Sequence, residues 1–440
     1  MISTGLRHHR AKAVMSERKV IIESPEMTTA QAGNCAVGAP RPARVLMLLE
    51  NGPYSRDARV PNEATSLVSA GHKVTVVCPA GPQQPWHEFV DGVHIYHYPP
   101  PINGTGFMAY VLEYGYSMVA AFLMSLYVLL HDGFEVVHAH CPPDAFVFLA
   151  AFYKLLGKRF VYDHHDLAPE LYCARFGGRS NRVVHGILLW LERLCCQLAD
   201  HVIATNESYK AIEMRRGGVP EQRITVVRNG PGAHHMRLSK PVSGLRQDGR
   251  RILCYVGCIG FQDRVDYLLR ALHHLLYTLG RADFLCVVVG AGEAWPALQE
   301  LTDQLHLADH VHFVGWVQKE QVPSYISAAD ICVAPEPSNS YNDRSTAVKL
   351  VEYMATGKPI VAFDLPEHRF TAQDAAAYAQ PNDELHFAQQ IAALMDDPDR
   401  RRRMGQVGRQ RVEAELAWQH QERKLLAAYQ TVCGMDPVRT

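Results

Sequence analysis

The chain has 440 residues, enough for two or three domains of roughly 100 to 200 residues with large cores. Its 44 lysines and arginines nearly balance 45 aspartates and glutamates, so no overall field favours nucleic acid, and we expect no nucleic-acid partner. Eleven cysteines with no CxxC pair and no secretory signal indicate buried thiols in a reducing compartment. Twenty-three histidines suggest metal binding, but without a CxxC, HExxH or EF-hand motif we expect no metal site.

The first 42 residues mix basic, polar and small side chains without apolar periodicity. Pro40 and Pro42 close this segment, which lacks the uninterrupted apolar stretch of a signal peptide. We therefore expect residues 1–42 to be a disordered extension.

From Arg44 the chain alternates between predicted strands and predicted helices. Val45 to Leu49 is a continuous apolar run, typical of a strand buried in a parallel sheet, and a helix over 57–70 follows it. Further strands are predicted over 73–78, 93–98, 135–139, 159–162, 201–204 and 224–227. This order predicts an α/β fold, with a doubly wound, Rossmann-like parallel sheet in a first domain of residues 43–228.

One segment of this domain, Tyr114 to Leu130, has seventeen residues without a charge. It falls short of the roughly 20 apolar residues of a membrane span and contains Ser117 and Ser125. Three interpretations stay open: a buried or interface helix, a surface that docks on a membrane or a lipid-linked substrate, and a true span. A peripheral membrane contact through residues 110–130 is the second of these.

A second unit begins after a segment rich in turn residues. Residues 229–250 carry charge but little periodicity, so we expect them to link two domains. Strands are then predicted over 252–256, 284–289, 311–314, 331–334 and 359–363, in a second doubly wound domain of residues 251–412. Helices over 400–412 and 417–432 follow, and the segment 413–440 is expected to return toward the first domain.

The stretch 342–362 is predicted to form a loop, a helix and a strand in quick succession. Asp343 and Ser345 are residue types that cap helix starts. A helix start offers backbone N–H groups and a positive dipole end to an anion. Lys349 and Glu352, three residues apart, share one helix face, which suits a nucleoside diphosphate with its ribose. An ordinary surface pair of lysine and glutamate is the alternative.

Ligands of open parallel sheets bind beyond the carboxyl ends of the strands. In the second domain the loops after the strands hold glycines, which permit close approach of the backbone to a ligand: Gly257, Gly260, Gly290, Gly292 and Gly315, the last followed by Trp316. Such glycines are also common in ordinary turns. Neither a P-loop nor an opening GxGxxG is present, which argues against ATP hydrolysis and against a dehydrogenase.

Polar side chains end two neighbouring strands of the first domain. His138 and His140 end one strand, and Asp163, His164 and His165 end the next. A neutral histidine there could contact a sugar hydroxyl, act as an acid or base, or simply cap the strand. Further polar residues extend the same rim: Arg56, Asp57, Arg59, Glu63 and Glu170.

Together these segments resemble the family-4 nucleotide-sugar glycosyltransferases of the GT-B architecture. The resemblance covers residues 44–432 and rests on the order and spacing of several motifs: HAH at 138–140, YDHHDLAPELY at 162–172, VVRNGPG at 226–232, VVVGAGE at 287–293 and EYMATGKPIVA at 352–362.

The chain departs from the family pattern at the donor side. Of the usual pair of glutamates only the second, Glu352, is present, and Arg344 stands in place of the first, next to Asp343. The arginine and lysine that hold the donor diphosphate in the family fall on Cys258 and Asp263.

The resemblance implies two Rossmann-like domains that face each other across a cleft, with the nucleotide sugar on the C-terminal domain and the acceptor on the N-terminal domain. It implies transfer with retention, without metal and without a resident cofactor, because the nucleoside-diphosphate sugar is a co-substrate. Glu352 would bind the ribose, and Arg264 and Lys349 would replace the missing cations.

The expected site residues follow from these roles. The catalytic residues are His165, Asp343 and Arg264; the donor-binding residues are Gly257, Gly260, Gly290, Gly292, Trp316, Ser345, Thr346, Lys349 and Glu352; the acceptor-binding residues are Arg56, Asp57, His140, Asp163 and Glu170. We expect a saccharide or lipid-linked acceptor, in the cytoplasm or at the inner face of the cell membrane. A nucleotide-sugar epimerase of the same fold and a catalytically silent nucleotide-binding subunit stay open as alternatives.

Overall fold

The structure is a computed structural model that describes residues 42–100, 107–176, 180–232, 239–245 and 249–434. Within these ranges the chain builds two sheets, each flanked by helices. The two largely parallel sheets confirm the predicted α/β class with two Rossmann-like units. The expected disordered extension lies outside the described residues, apart from Pro42.

The first sheet consists of β1 (Arg44–Leu48), β2 (Lys73–Pro79), β3 (His87–Val90), β4 (Val93–Tyr98), β5 (Val136–His140), β6 (Arg159–His164), β7 (His201–Ala204) and β8 (Ile224–Val226). Its order is β3-β4-β2-β1-β5-β6-β7-β8, and β3 runs antiparallel to β4. Val45 to Leu48 in β1 are almost completely buried, because a central strand is covered on both faces. The edge strand β3 was not predicted, since its half-exposed residues lack a continuous apolar run.

The helices of this unit are α1 (Val60–Ser69), α2 (Phe107–His131), α3 (Phe146–Leu155), α4 (Ala168–Arg175), α5 (Arg182–Leu198) and α6 (Glu207–Ile212). α2, α3 and α5 pack on one face of the sheet, with Leu46 and Val137. α1 packs on the opposite face, with Val45 and Met47. The sheet therefore lies between two helical layers.

α1 begins later than the predicted helix over 57–70. Residues Tyr54–Arg56 form a separate short turn. The Asp57 carboxylate then accepts hydrogen bonds of 2.7 Å from the N–H groups of Arg59 and Val60, at the start of the helix. Asp57, expected to bind an acceptor, thus has a structural role at the helix start.

The second sheet consists of β9 (Arg251–Val256), β10 (Phe284–Val289), β11 (Val311–Gly315), β12 (Ile331–Ala334), β13 (Ile360–Phe363) and β14 (Ala376–Ala379). All its strand pairs are parallel, in the order β11-β10-β9-β12-β13-β14. The direction of winding reverses between β9 and β12. In such sheets the ligand crevice lies at this switch point, beyond the carboxyl ends of the strands.

The helices of the second unit are α7 (Val265–His273), α8 (Trp295–Gln304), α9 (Val322–Ala328), α10 (Val348–Ala355), α11 (Pro366–Ala372), α12 (Glu384–Asp396) and α13 (Pro398–Arg411), followed by α14 (Trp418–Gly434). The predicted helices over 400–412 and 417–432 correspond to α13 and α14, and their ends agree to within two residues. The described residues between 229 and 250 contain neither helix nor strand.

The last helix packs on the first sheet. The indole N–H of Trp418 donates to the Ser66 hydroxyl at 2.9 Å, and the Tyr429 hydroxyl lies 2.9 Å from His138 Nδ1. Leu425 and Tyr429 are buried in the same core as α1. α14 therefore connects the end of the chain to the first unit.

Candidate functional site

The switch point of the second sheet brings together the loop after β9 and the loop after β12. Gly257 begins the first loop and Glu336 lies in the second, and both contact Lys349 of α10. Lys349 Nζ forms an ion pair with Glu336 and lies 3.1 Å from the Tyr255 hydroxyl. A Cβ atom on Gly257 would lie 3.0 Å from Lys349 Nζ, so the glycine leaves room for the lysine to reach the loop.

Lys349 keeps its positive charge in this buried position. Burial alone would lower the pKa of Lys349, but the Glu336 carboxylate, with Tyr255 and Asp263, raises it well above its ordinary value. Burial would raise the pKa of Glu336, and Lys349 outweighs that effect and lowers it. A charged ammonium group therefore stands at the carboxyl end of β9, where a diphosphate would need it.

A second carboxyl group, Asp263, lies near this ion pair at a position where the resembled family has a cation. Asp263 accepts a hydrogen bond of 3.0 Å from the backbone N–H of Gly260. Burial, partly offset by Lys349, raises the pKa of Asp263 to about 6. The charge of this loop therefore changes near neutral pH, while the Lys349 ammonium stays charged.

Glu352 lies one turn after Lys349 on α10. Its half-buried carboxylate makes no hydrogen bond and no ion pair within the described part of the chain. Burial raises the pKa of Glu352, whereas Lys319 and Lys349 lower it. A partly desolvated carboxylate without a protein partner is an acceptor open to ligand hydroxyls.

The start of α10 differs from the prediction. The helix begins at Val348 with Ala347 as its N-cap, so the expectation that Asp343 and Ser345 cap it is wrong. The Ser345 hydroxyl instead lies 2.9 Å from the hydroxyl of Tyr209 in the first unit. The helix start therefore lacks a side-chain cap, and Ser345 contacts the opposite domain.

The loop before α10 makes further contacts with the first unit. Asn206 Nδ2 donates to Thr346 Oγ1 at 3.0 Å and to the carbonyl oxygen of Arg344 at 2.8 Å. The Tyr341 hydroxyl donates to the Asp166 carboxylate at 2.7 Å. Thr346, expected to hold the donor diphosphate, is thus engaged across the interface between the two domains.

Two residues expected to be catalytic contact other protein groups. Asp343 accepts a hydrogen bond of 3.1 Å from the Ser338 hydroxyl within its own loop. Arg264 forms hydrogen bonds of 2.9 and 3.0 Å with Asp266 and stacks over the ring of Tyr267. This guanidinium lines a cavity of about 360 Å³ formed largely by α7 and α8. Lys349 pairs with Glu336 at the switch point, whereas Arg264 pairs with Asp266 at the start of α7.

The glycines expected to approach a donor also hold the neighbouring loops together. A Cβ atom on Gly290 would collide with the carbonyl oxygen of Gly257, and one on Gly292 would collide with that of Ile259. Only glycine fits such close backbone contacts. At Gly260 a Cβ atom would meet only a flexible side chain. Gly290 and Gly292 thus fix the position of the loop that carries Gly257.

Trp316 and Arg56 face each other between the two domains. The Trp316 ring is 55% exposed, and the Arg56 guanidinium lies 5.4 Å from its centroid. Arg175 and Glu293 form an ion pair between the domains, at 2.8 Å. An expected acceptor residue and an expected donor residue are therefore neighbours at this end of the cleft.

Asp163 lies at the centre of a buried charged cluster in the first unit. Arg59 Nε donates to Asp163 Oδ2 at 2.7 Å and pairs with Glu63 at 2.9 Å. His140 Nδ1 lies 3.1 Å from Asp163 Oδ2, and the His138 ring stacks on His140. All five side chains are almost completely buried. Asp163 and His140 therefore lie beneath the surface of the cleft.

The charges of this cluster follow from its contacts. Burial alone would raise the pKa of Asp163, but Arg59 and the neighbouring histidines hold it well below its usual range. Burial lowers the pKa of His138 to about 4 and also lowers that of His140. For the less buried His165, whose Nδ1 lies 3.8 Å from Asp163 Oδ1, the carboxylate outweighs burial and raises the pKa.

The donor set of this cluster also suits a metal ion. Glu63, His138, His140 and Asp163 each offer a ligand atom within 4.8 Å of the others. Sequence motifs could not show this group, because its members come from three separate segments. Arg59, however, contacts both carboxylates and already supplies a compensating positive charge. A metal ion at this place would be repelled by the guanidinium or would have to displace it. The absence of a metal therefore stays a prediction.

Glu170, an expected acceptor residue, is tied to the helical layer. Arg216 bonds to Glu170 at 2.7 Å and also forms an ion pair with Glu192 of α5. His164 Nδ1 lies 3.1 Å from Glu213. The carboxylates of Glu213 and Glu192 outweigh burial and raise the pKa of His164 to about 9. This network connects the end of β6 to α4 and α5.

Sequence reasoning gave no role to Glu336, Tyr255 or Asp166. Each lies in or directly after a predicted strand, and that position was the available signal. Tyr255 and Glu336 contact Lys349, 94 and 13 residues away, and Asp166 accepts from Tyr341, 175 residues away. Only the folded chain shows which strand-end residues meet.

Two sequence models of known families match this chain. The model described as "Glycosyltransferase Family 4" matches residues 60–231, and the model described as "Glycosyl transferases group 1" matches residues 237–411. The first match falls on the unit of β1 to β8, and the second falls on the unit of β9 to β14.

Individual proteins of known activity or structure are also similar. The chain is 26% identical to alpha-maltose-1-phosphate synthase from Mycolicibacterium smegmatis over 88% of this chain and 99% of that protein. Sucrose-phosphate synthase from Thermosynechococcus elongatus has a similar fold, with a TM-score of 0.74 at 18% identity over 89% of this chain and 99% of that one. HepE from Anabaena, solved in complex with UDP-glucose, has a TM-score of 0.68 at 14% identity over 88% and 98%.

The family matches and the similar structures agree with the two-domain fold. Each family model falls on one Rossmann-like unit, and the two follow each other in the order that the GT-B architecture requires. The similar structures share this two-domain fold over nearly their whole length. The chain therefore belongs to the family-4 glycosyltransferases of the GT-B architecture, enzymes that transfer sugars.

Proposed function

We propose that the enzyme transfers a sugar from a nucleoside-diphosphate sugar to a saccharide or lipid-linked saccharide, with retention and without a metal or resident cofactor. One observation carries this proposal: the Lys349 ammonium is kept charged by Glu336 at the switch point, one turn before Glu352, whose carboxylate has no partner among the described residues. A diphosphate needs a fixed cation, and a ribose needs a carboxylate that accepts two hydroxyl hydrogens.

In this mechanism Lys349 stabilises the leaving diphosphate. The negative charge on the diphosphate grows as the glycosidic bond breaks, so a cation that is already desolvated and fixed lowers the barrier. Glu336 and Tyr255 hold the ammonium against the loop of Gly257. Glu352 orients the nucleoside, which places the sugar toward the first domain.

The first domain supports transfer on a single face of the sugar. Asp163 and Glu63 are buried and paired with Arg59, so neither is available as a free carboxylate nucleophile. A retaining reaction without a covalent intermediate is then favoured, with the acceptor entering on the side from which the diphosphate leaves. His165, whose pKa is raised by Asp163, is proposed to assist the departing diphosphate.

Two further observations support the choice of donor and of compartment. HepE, which shares the fold, was solved with UDP-glucose, so UDP-sugars are the first donors to test. Ten cysteines of the described residues are free thiols, among them the exposed Cys258. Free thiols favour a reducing compartment such as the cytoplasm.

The proposal is tested by incubating the protein with UDP-, GDP- and ADP-sugars and following release of the nucleoside diphosphate, with saccharides and lipid extracts as acceptors. The product is examined by nuclear magnetic resonance for the configuration at the anomeric carbon. We expect turnover that persists with a chelator and retains the configuration. An inverted product or a strict metal requirement would contradict these parts of the proposal.

The role of Lys349 is tested with Lys349→Met and a matched control, Lys73→Met, which removes an exposed lysine of the first unit. We expect Lys349→Met to lower kcat by about 100-fold or more, the loss measured when one preorganised donor to a developing anion is removed. Lys73→Met keeps the wild-type rate. Equal rates in both variants would remove Lys349 from the mechanism.

Two other functions are distinguished by the same assays. An epimerase converts a nucleotide sugar without any acceptor, so a changed sugar in the donor-only incubation would favour it. A catalytically silent subunit would bind a nucleoside diphosphate in calorimetry but release none from any donor with any acceptor. The missing first glutamate, replaced by Arg344, is the observation that keeps this second alternative in view.

A further inference from the structure

One layer of the first unit presents an apolar outer surface. α2, α3 and α5 pack side by side on the same face of the first sheet, opposite α1 and α14. Their inward side chains belong to one core that includes Ala121, Val147 and Cys196. We call their outward surface the helical face and define it by Leu112, Tyr116, Val119, Leu123 and Leu130 of α2, Phe148, Phe152 and Leu155 of α3, and Val183, Ile187 and Trp190 of α5.

The apolar residues of the helical face recur at helical spacing. In α2 they occupy positions i, i+4, i+7, i+11 and i+18 from Leu112, and this stripe is about 27 Å long at 1.5 Å per residue. Leu112 is 69% exposed and Leu130 is 82% exposed. A regular stripe of exposed apolar side chains is unlike the scattered ones that ordinary surfaces carry.

The stripes of the three helices form one continuous surface. The rings of Phe122 and Phe152 lie 5.3 Å apart, which joins α2 to α3. The rings of Phe148 and Trp190 lie 6.2 Å apart, which joins α3 to α5. The helical face therefore spans three helices, and the uncharged segment of α2 is only part of it.

α2 lies on the domain as a surface helix. By length and composition the segment Leu112–His131 could cross a membrane. Its polar side chains, however, bond inward: Ser117 donates to the buried Glu50 at 3.1 Å, and Ser125 lies 2.6 Å from the Tyr153 hydroxyl. A span would break these contacts and expose the core beneath, so the structure favours docking on a surface.

The charges beside the helical face indicate its partner. Arg182 and Arg193 are exposed on α5, on the same side of the helix as Val183 and Trp190, and form no ion pair within the described residues. Unpaired arginines next to apolar and indole side chains complement the anionic headgroups and the interfacial region of a bilayer. A second copy docked by twofold symmetry would instead bring the two arginines of each copy, four like charges, into one interface.

We propose that the helical face docks the enzyme on a bilayer that contains anionic lipids. Apolar side chains of α2, α3 and α5 enter the boundary between headgroups and acyl chains, and Arg182 and Arg193 contact lipid phosphates. The docked domain is the one expected to bind the acceptor. In this placement a lipid-linked acceptor can reach the cleft while its lipid stays in the membrane. Docking itself does not depend on the identity of the donor.

The test uses the full chain and sedimentation with large vesicles of phosphatidylcholine and phosphatidylglycerol in equal parts, or of phosphatidylcholine alone. We expect binding to the mixed vesicles, weakened by salt, and much weaker binding to the neutral ones. Leu123→Glu should weaken binding by about tenfold or more, because a carboxylate replaces an inserted side chain. Arg182→Gln and Arg193→Gln should each weaken it by about fivefold.

The matched control is Phe89→Glu, which changes a residue that is 63% exposed on β3 in the same domain but outside the helical face. It should bind the vesicles like the wild type. Circular dichroism and calorimetric binding of UDP report whether each variant is folded. A different readout that needs no charge substitution is quenching of tryptophan fluorescence by brominated lipid, which should fall in Trp190→Phe.

Three results would overturn the proposal. The first is a wild type that does not sediment with the anionic vesicles. The second is a Leu123→Glu variant that binds them as well as Phe89→Glu does. The third is a wild type that is a dimer in light scattering and becomes a monomer in Leu123→Glu, a result that would assign the helical face to a second copy. Because vesicle binding is measured without a nucleotide sugar, its failure would leave the proposed sugar transfer unaffected.

Discussion

Glu336 and Lys349 form a buried ion pair that joins the loop after β12 to the helix α10 at the switch point of the second sheet. The pair holds the Lys349 ammonium against the loop of Gly257 and next to the Tyr255 ring, whose centroid lies 4.4 Å from Nζ. It gives this family member a fixed cation where the residues Cys258 and Asp263 supply none.

Removing the carboxylate in Glu336→Gln should lower the pKa of Lys349, because Glu336 is the group that raises it against burial. The alkaline limb of the pH dependence of kcat should therefore move to lower pH. The free energy of unfolding should fall by about 3 to 5 kcal/mol, because the buried charge of Lys349 is left without its partner. Urea unfolding and pH profiles measure both effects.

The control for that variant is Glu320→Gln, which changes an exposed glutamate of the same domain and should alter neither measurement. The lowered pKa of Glu336 also predicts how stability changes in acid. Because the pKa of Glu336 is lowered in the fold, its contribution to stability is present above the ordinary value of 4.5 and is lost as the pH falls below it. An unchanged alkaline limb in Glu336→Gln would show that Glu336 does not control Lys349.

Glu352→Gln should separate activity from stability. Burial raises the pKa of Glu352, so the ionised carboxylate destabilises the fold increasingly as the pH rises through its ordinary value of 4.5. The glutamine removes this cost, and the midpoint of thermal unfolding at pH 7 should stay the same or rise. Turnover and nucleoside diphosphate affinity should fall sharply, because the ribose loses a doubly accepting carboxylate. A wild-type rate would refute the ribose assignment.

Asp163→Asn should destabilise the first domain by about 3 to 5 kcal/mol, because it leaves the buried Arg59 without its closest carboxylate. The pKa of Asp163 is held well below its usual range, so this contribution is fully present above the ordinary value of 3.8 and is lost progressively as the pH falls below it. Urea unfolding at pH 7 and pH 3 should show a difference between wild type and variant that shrinks at the lower pH.

Treatment with a chelator should change neither the thermal unfolding midpoint nor the turnover, because Arg59 already pairs with the carboxyl groups of Glu63 and Asp163 and occupies the place of a cation there. Metal content is measured by plasma mass spectrometry on the purified protein. One tightly bound zinc or manganese ion per chain, with a lower unfolding midpoint after its removal, would instead assign the cluster with His138 and His140 to a metal.

Tyr341→Phe removes the hydrogen bond to Asp166 that joins the two domains at the cleft. The interface between the domains should lose about 0.5 to 1.5 kcal/mol of net stabilisation. If closure accompanies donor binding, the KM for the donor should rise by about two- to tenfold. Small-angle X-ray scattering should show a larger radius of gyration. Tyr325→Phe, on a helix away from this contact, is the control, and equal KM values in the two variants would argue against a role in closure.

The order of elements was readable from the sequence because each signal is local. Continuous apolar runs such as Val45 to Leu49 identify buried parallel strands wherever they occur, and the helix α10 follows from composition and a terminal glycine. Lys349 and Glu352 share a face because three residues make nearly one helical turn. These features need no knowledge of distant residues.

Local patterns therefore predict the two doubly wound units, the loops at their strand ends and the helix that presents Lys349 and Glu352. Which groups those side chains meet depends on the tertiary structure. It paired Lys349 with Glu336, turned Ser345 and Thr346 toward the first domain, and buried Asp163 against Arg59. Such pairings join residues on different elements, and their geometry depends on how whole elements pack, which no local pattern encodes.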